Sequence, residues 1–321
     1  MTKLRAGVVG VGHLGYHHAR NYASLPTVDL VGVVDANEER AREVAAELKT
    51  LPFTRYEELA PIADVISVAV PTSKHFEVTA FFLKRRKHVL LEKPIATTVA
   101  EADELIRLCE QNGVTLQIGH LERFNAAVQT LRERIDKPAF IESHRLAPFT
   151  PRGCDVDVVL DLMIHDLDII LSLLCSPVER IIDAVGVPLV SEHEDIANAR
   201  LRFQNGCVAN VTASRISTEP MRKIRIFQPY TYFSVDYAAQ EIKCYHLKKG
   251  PIDWSHPEKL PETLVVDEIN VEKEEPLKLE IRSFTDSVLS GRPPAVSGRD
   301  GREALELASR IVEAIRSKRN T

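Results

Sequence analysis

Apolar residues come in short, dense runs over the first third of the chain, at 4–9, 28–34, 65–70, 88–91 and 114–118. Val, Ile and Leu dominate these runs and polar residues do not alternate with them. Each run therefore predicts a strand buried on both faces. Between the runs the apolar positions fall at a helical period, at 15–24, 38–48, 75–84 and 99–111. Strands alternating with helices predict an α/β domain built on a parallel, doubly wound sheet.

The pattern changes near residue 120. Ala197, Ala199, Leu201 and Phe203 alternate with Asn198, Arg200 and Arg202, and the pair Asn205-Gly206 then precedes a second alternating run from Cys207 to Ser214. Asn-Gly between alternating runs is the strongest short-range hairpin signal. Further strand-like runs follow at 223–227, 232–237 and 242–247, and helical patterns close the chain at 277–289 and 302–317. This half predicts an α+β domain with a large open antiparallel sheet, wetter on one face. Two domains are expected, 1–120 and 121–321, with the last helices able to pack back on the first. Residues 250–276, rich in Pro, Glu and Lys, receive no element.

Composition narrows the classes of protein. A length of 321 residues suits two domains, and a hydrophobic fraction of 44% suffices for ordinary cores. No stretch approaches the roughly 18 consecutive apolar residues of a membrane span. The opening Met1-Thr2-Lys3-Leu4-Arg5 runs into the first strand without an apolar leader, so a cytoplasmic protein with no membrane partner is expected. A formal charge of −5 gives no electrostatic reason to bind nucleic acid, and Lys84-Arg85-Arg86-Lys87 reads as a solvated helix end. Cys109, Cys154, Cys175, Cys207 and Cys244 are scattered, with no C-x-x-C pair, which predicts reduced thiols. Cys109 and Cys175 fall in apolar helical patterns and are expected in the core. No metal site is expected.

The chemistry begins at Gly10-Val11-Gly12-His13-Leu14-Gly15, a G-x-G-x-x-G between the first strand and the first helix. In that setting Gly10 permits the tight turn, Gly12 lets a pyrophosphate approach the backbone, and Gly15 lets helix and strand pack closely. The helix N-terminus offers unpaired N–H groups to phosphate. The loop, with His13 and Leu14, predicts a Rossmann dinucleotide site. Asp35 ends the second strand and is placed to accept hydrogen bonds from the adenosine ribose, while its charge opposes a 2′-phosphate. NAD is expected, and NADP less so. Two features compete: Arg40 can reach a phosphate, and Asp35 with Glu38 also reads as a helix capping box.

Three further segments carry candidate chemistry. Val70-Pro71-Thr72-Ser73-Lys74-His75 ends the third strand, Leu91-Glu92-Lys93-Pro94 ends the fourth, and Leu160-Asp161-Leu162-Met163-Ile164-His165-Asp166-Leu167-Asp168 reads as a helix. In a doubly wound sheet ligands collect beyond the C-terminal ends of the strands, where Pro71, Lys93 and His120 fall. A lysine there can stabilise charge developing on a substrate oxygen. His165 suits a general base, and Asp161, four residues earlier, shares its helix face.

Together, in this order and spacing, the segments resemble the Gfo/Idh/MocA family, named for glucose–fructose oxidoreductase, inositol dehydrogenase and rhizopine-catabolism proteins. The resemblance spans essentially the whole chain. It implies that Lys93, Asp161 and His165 form the catalytic set. It also implies that Pro71, Thr72, His75, Glu92 and Lys93 line the cofactor with the glycine loop, that Pro94 follows a cis peptide bond, and that the protein forms homodimers or tetramers. The segment from Ile118 to Asn125 and the stretch Arg145 to Arg152 are further similar to family members that oxidise C3 of UDP-N-acetylglucosamine or its uronic acid, upstream of lipid A or O-antigen. That likeness implies that Arg123, Asn125 and Arg152 hold diphosphate and sugar, alongside Asp161 and His165. An inositol or free-sugar dehydrogenase is the first alternative. A regulator that binds the dinucleotide without chemistry is the second, although it needs neither Lys93 nor His165.

Overall fold

The computed structural model describes residues 3–150, 156–247, 255 and 264–319. Its helices are α1 (His13–Ser24), α2 (Glu38–Leu48), α3 (His75–Leu83), α4 (Val99–Asn112), α5 (Ala126–Arg132), α6 (Ile164–Leu174), α7 (Pro276–Ser290) and α8 (Gly298–Arg319). The chain divides into two compact units. One gathers the residues up to Phe124 with Glu275–Glu306, and the other Asn125–Glu274 with the residues from Leu307.

The first unit is built on six parallel strands: β1 (Leu4–Val9), β2 (Val28–Val34), β3 (Pro52–Phe53), β4 (Val65–Val68), β5 (His88–Glu92) and β6 (Leu116–Gly119). Their order is 3-2-1-4-5-6, with the reversal of direction between β1 and β4, so the expected doubly wound sheet is present. The two-residue β3 has too little apolar sequence to signal itself. Helix α4 begins at a complete capping box, Thr98 with Glu101, and stops at Gly113 in the left-handed region. Helix α7 belongs to this unit. Its Leu277, Ile281 and Phe284 join one core with Val8, Ala19 and Tyr22.

The second unit carries eight strands: β7 (Phe140–Leu146), β8 (Val178–Val187), β9 (Ile196–Phe203), β10 (Val208–Ser214), β11 (Met221–Gln228), β12 (Thr231–Asp236), β13 (Glu241–Leu247) and β14 (Leu264–Ile269), in the order 14-13-12-11-7-10-9-8. The sheet is mixed rather than wholly antiparallel: β7 runs parallel to β10 and antiparallel to β11. The Asn205-Gly206 hairpin joins β9 to β10, with Gly206 at φ +88°. On one face Ala199, Leu201, Val211, Ile141 and Ile226 are fully buried. The opposite face carries polar groups and a ladder of half-buried aromatic rings. Phe140, Phe227, Tyr232 and Tyr245 stand in direct register on four neighbouring strands, and the Tyr232 and Tyr245 rings stack 4.1 Å apart.

Three expectations are corrected here. The segment before α6 is a π turn over Val159–Met163, closed by the Ile164 N–H reaching back to Val159 C=O, and not part of a regular α-helix. Cys175 is exposed rather than in the core, because it ends α6 in a left-handed conformation; Cys207 is the buried thiol. Residues 264–269, within the excursion left unassigned from sequence, form the edge strand β14. The four cysteines among the described residues are free thiols, and Cys154 lies outside them. Among the described residues no helix is long and apolar enough to cross a membrane.

Candidate active site

In the first unit the candidate residues collect at the C-terminal edge of the parallel sheet. The glycine loop leaves β1, Pro71 and Thr72 follow β4, Lys93 follows β5 and His120 follows β6. Each glycine has its own steric reason. Gly10 sits at φ +83°, and a Cβ there would lie 2.5 Å from the Ala69 carbonyl oxygen. A Cβ on Gly15 would lie 1.7 Å from the Gly10 carbonyl oxygen, so only hydrogen lets α1 meet the loop. A Cβ on Gly12 would meet nothing within 4 Å, which leaves open space against bare backbone. Helix α1 is preceded by Gly12 at its cap, with no capping side chain and no acid in its first turn, so no side chain of that turn competes with a phosphate for its N–H groups. His13 and Leu14 open that helix. These features fit a dinucleotide.

Asp35 supports the same loop. Its carboxylate accepts from the Val11 N–H at 3.0 Å and from the Asn37 N–H at 2.9 Å, and each oxygen keeps a lone pair for a ribose hydroxyl. The α2 cap is Asn37, which accepts from Arg40 N, so the expected Asp35–Glu38 capping box is not the one formed. Arg40 donates to the Val11 carbonyl at 2.8 Å, pairs with Glu43 at 2.7 Å and lies over the Tyr16 ring.

Lys93 is half-buried and is joined to Pro94 by a cis peptide bond. His75 faces two carbonyls, Pro94 O at 2.7 Å and Val70 O at 2.9 Å, and so clasps the loops after β4 and β5 together. Burial pushes its imidazole below the ordinary range, although both carbonyls pull the other way. Both ring nitrogens therefore face carbonyls of the protein, of which a neutral ring donates to one.

Behind Lys93 lies a buried polar cluster that sequence reasoning missed. Tyr22 Oη and Ser67 Oγ are 2.9 Å apart, Ser67 Oγ lies 3.1 Å from His18 Nδ1, and His18 Nε2 lies 2.9 Å from Glu92 Oε1. Glu280 reaches the same place from α7, and polar atoms of His18, Glu92 and Glu280 all lie within 4.8 Å of one another. Among the described residues these are the ones whose ligand atoms come close enough together to hold a cation, and His18 and Glu92 are instead hydrogen-bonded to each other directly. The missed signal was legible: Leu277, Glu280, Ile281 and Phe284 follow the i, i+3, i+4, i+7 pattern, which places an acid on the apolar stripe of α7.

In the second unit Asp161 sits in the π turn and His165 on the first turn of α6, both half-buried. The neighbouring Asp166 fixes the helix rotation. It accepts from Arg145 Nε at 2.6 Å and from Ser143 Oγ at 2.8 Å, both on β7 and both buried. Asp168 is also buried. The turn itself is anchored through Asp157, whose carboxylate pairs with Arg316 of α8 at 2.9 Å.

The residues expected to hold a diphosphate have structural partners. Arg123 pairs with Asp300 at 3.3 Å, and Asp300 in turn accepts from the Ser297 N–H at the start of α8. Asn125 caps α5 through the Ala127 N–H and donates to Tyr237 O at 2.9 Å. Arg152 lies outside the described residues.

Comparison with known proteins places this geometry. Residues 4–120 match the oxidoreductase family with an NAD-binding Rossmann fold, and 126–228 match the GFO/IDH/MocA C-terminal domain. The chain is 40% identical to UDP-N-acetylglucosamine 3-dehydrogenase of Acidithiobacillus ferrooxidans over 98% of both sequences. A solved structure of that enzyme superposes with a TM-score of 0.90 at 38% identity, covering 99% of each chain. Myo-inositol 2-dehydrogenase of Thermotoga maritima is 28% identical over 99% of this chain and 98% of its own. The protein is a member of the Gfo/Idh/MocA family of NAD-binding oxidoreductases. The relatives named here are dehydrogenases acting on CH–OH groups.

Proposed function

We propose that the protein is an NAD-dependent dehydrogenase of a nucleotide sugar, which oxidises the C3 hydroxyl of a UDP-N-acetylglucosamine-type substrate to a ketone. The observation that carries this reading is the 40% identity with a UDP-N-acetylglucosamine 3-dehydrogenase along nearly the whole of both chains, against 28% with an inositol dehydrogenase.

An oxidised nicotinamide, when bound, accepts hydride from the carbinol carbon. The glycine loop and the bare α1 N-terminus hold the pyrophosphate, and Asp35 accepts the ribose hydroxyls. The Asp35 charge disfavours a 2′-phosphate, and Arg40 is already engaged by Val11 and Glu43, so NAD is the cofactor rather than NADP. The Lys93 ammonium donates a hydrogen bond to the substrate oxygen and stabilises charge there. His165 takes the hydroxyl proton, with Asp161 orienting its ring or touching a sugar hydroxyl. Arg123, Asn125 and Arg152 contribute to holding the substrate. A 3-keto sugar is the substrate class of an aminotransferase, which fits a cytoplasmic step toward lipid A or O-antigen. The half-exposed aromatic face of the second unit's sheet supports a homo-oligomer.

The test is a panel of UDP-sugars, their uronic acids, myo-inositol and free sugars, each with NAD, following NADH absorbance and product mass. Turnover of UDP-N-acetylglucosamine to a product about two mass units lighter supports the proposal. Turnover of inositol alone moves the protein to the inositol branch, and dinucleotide binding with no turnover of any member makes it a sensor.

A further inference from the structure

The cluster behind Lys93 has one member that none of its neighbours satisfies. Glu280 is fully buried, and neither carboxyl oxygen has a hydrogen-bond partner among the described residues. Its backbone carbonyl is bound, by the Gln117 side chain at 3.2 Å, so the segment is held in place while the carboxyl is not. A buried ionised carboxylate without donors costs several kcal/mol, and a carboxylic acid costs far less. Burial and the Glu92 charge accordingly push Glu280 well above the usual carboxylate range.

Glu92 has the opposite environment. The chain from Tyr22 through Ser67 and His18 has one assignment that satisfies every member. Tyr22 donates to Ser67, Ser67 donates to His18 Nδ1, and His18 Nε2–H donates to Glu92. That assignment ends on an anionic acceptor. Burial alone would raise the Glu92 carboxyl, but the His18 hydrogen bond and the nearby Lys93 charge hold it below its ordinary value. Gly119 makes room for it, since a Cβ there would stand 3.2 Å from the Glu92 carboxyl carbon. Among the described residues the charged and titratable groups facing the pair are His18 and Tyr22 from α1, His75 from α3 and Lys93, which follows β5. From β6 come only the neutral Gln117 and Gly119.

We propose that Glu92 and Glu280 share one buried proton, and that this pair is a positioning element that sets the proton affinity of Lys93. Like charges this close in a buried site do not both ionise, so the pair carries a single negative charge beside the ammonium. Near neutral pH the proton resides on Glu280 and the charge on Glu92. Whichever of the two carboxyls holds the proton, the pair keeps one negative charge, and that charge favours the ammonium form of Lys93. Glu280 touches neither substrate nor cofactor in this scheme and acts through Glu92. The part assigned to Lys93 in catalysis rests on the dehydrogenase reading, but the shared proton does not.

The test is a side-chain NMR titration of the full-length protein, labelled with ¹³C at the glutamate carboxyl and lysine ε positions, with no substrate added. One glutamate carboxyl carbon is expected to keep a protonated shift at pH 7, and that signal should vanish in Glu280→Gln. In Glu92→Gln the same signal should titrate at lower pH, by about one unit or more, because its charged neighbour is gone. The Lys93 midpoint should fall in Glu92→Gln, fall by a smaller step in Glu280→Gln, and return toward wild type in Glu280→Asp. Circular dichroism checks that each variant folds, and the Gln replacements keep side-chain volume. In turnover assays of Glu280→Gln the pH limb of kcat should move with the Lys93 midpoint while KM for NAD stays within about twofold. No protonated carboxyl at pH 7 would overturn the proposal. So would a Glu280 midpoint indifferent to Glu92→Gln, a Lys93 midpoint indifferent to both substitutions, or a stoichiometric divalent metal in elemental analysis of the purified protein. Failure to turn over any sugar would sink the proposed function but leave the titration decisive.

Discussion

In the proposed mechanism Lys93 and His165 each work mainly in the transition state, so their loss should show in kcat and not in dinucleotide affinity. Lys93→Ala and His165→Ala should each cost on the order of 10²–10⁴-fold in kcat, and together less than the product, since both act on one proton. Steady-state kinetics with isothermal titration of NAD checks this; full turnover in His165→Ala would remove it as the base. Asp35→Ser should narrow the preference for NAD over NADP, measured as the ratio of their dissociation constants, and an unmodified protein that prefers NADP would refute the assignment. Asp195 allows a pH prediction. Burial alone would raise its carboxyl, but N–H groups of Val190, Leu189 and Ser191 and the Ser191 hydroxyl bring it down to about 2. A depressed carboxylate contributes stability above its unfolded value near 4 and loses it as pH falls toward the folded value. Asp195→Asn should therefore cost roughly 2 kcal/mol in urea denaturation at pH 7, with the difference from wild type shrinking between about pH 4 and pH 2.

At the scale of elements, the π turn over Val159–Met163 sets the spacing between Asp161 and His165. A π turn holds one residue more than an α turn, and such turns recur at functional sites. Deleting Leu162 should let the segment relax into continuous α-helix and rotate Asp161 by about 100° relative to His165. The melting temperature should change little while kcat or KM suffers; equal loss of stability and activity would show the turn to be structural only. The sequence could not reveal this turn, because its apolar pattern is as compatible with an α-helix. The regular elements were legible where one physical rule dominated. The runs at 4–9 and 28–34 are β1 and β2 residue for residue, since each dense apolar run is broken only once, by the exposed Arg5 and Asp29 near its start. Strands β7 and β8 escaped notice because their buried positions include Ser143 and Arg145, or leave Ile182, Val185 and Val187 exposed, so polarity no longer reports the face. Motif spacing singles out Lys93, Asp161 and His165 as candidates, but not His18 or Glu280, whose surroundings come from neighbours distant in sequence.

For the whole molecule, the ladder of Phe140, Phe227, Tyr232 and Tyr245 continues into Val266 on the edge strand, itself 48% exposed. An apolar strip of this kind on an open sheet suits a two-fold partner. Light scattering at micromolar concentration should give a dimer or larger assembly, and Phe227→Glu with Tyr232→Glu should shift it toward monomer; a monomeric wild type would contradict the proposal. The same sheet has a seam. β8, β9 and β10 follow one another as neighbours, and so do β11 to β14, but β7, first in the chain, lies between the two groups. On a ribosome β7 therefore emerges with neither partner made, and must wait for β10, about sixty residues later, and then β11. Each three- or four-strand ribbon can form from local contacts, whereas the strand that joins them closes long loops and is the slow step. Until it docks, both ribbons present a bare edge of the kind that recruits other chains. Assembly of this half of the protein is thus most vulnerable to aggregation in the interval between the synthesis of β7 and the release of β11, and that window, set by translation speed, is where a folding chaperone would matter most.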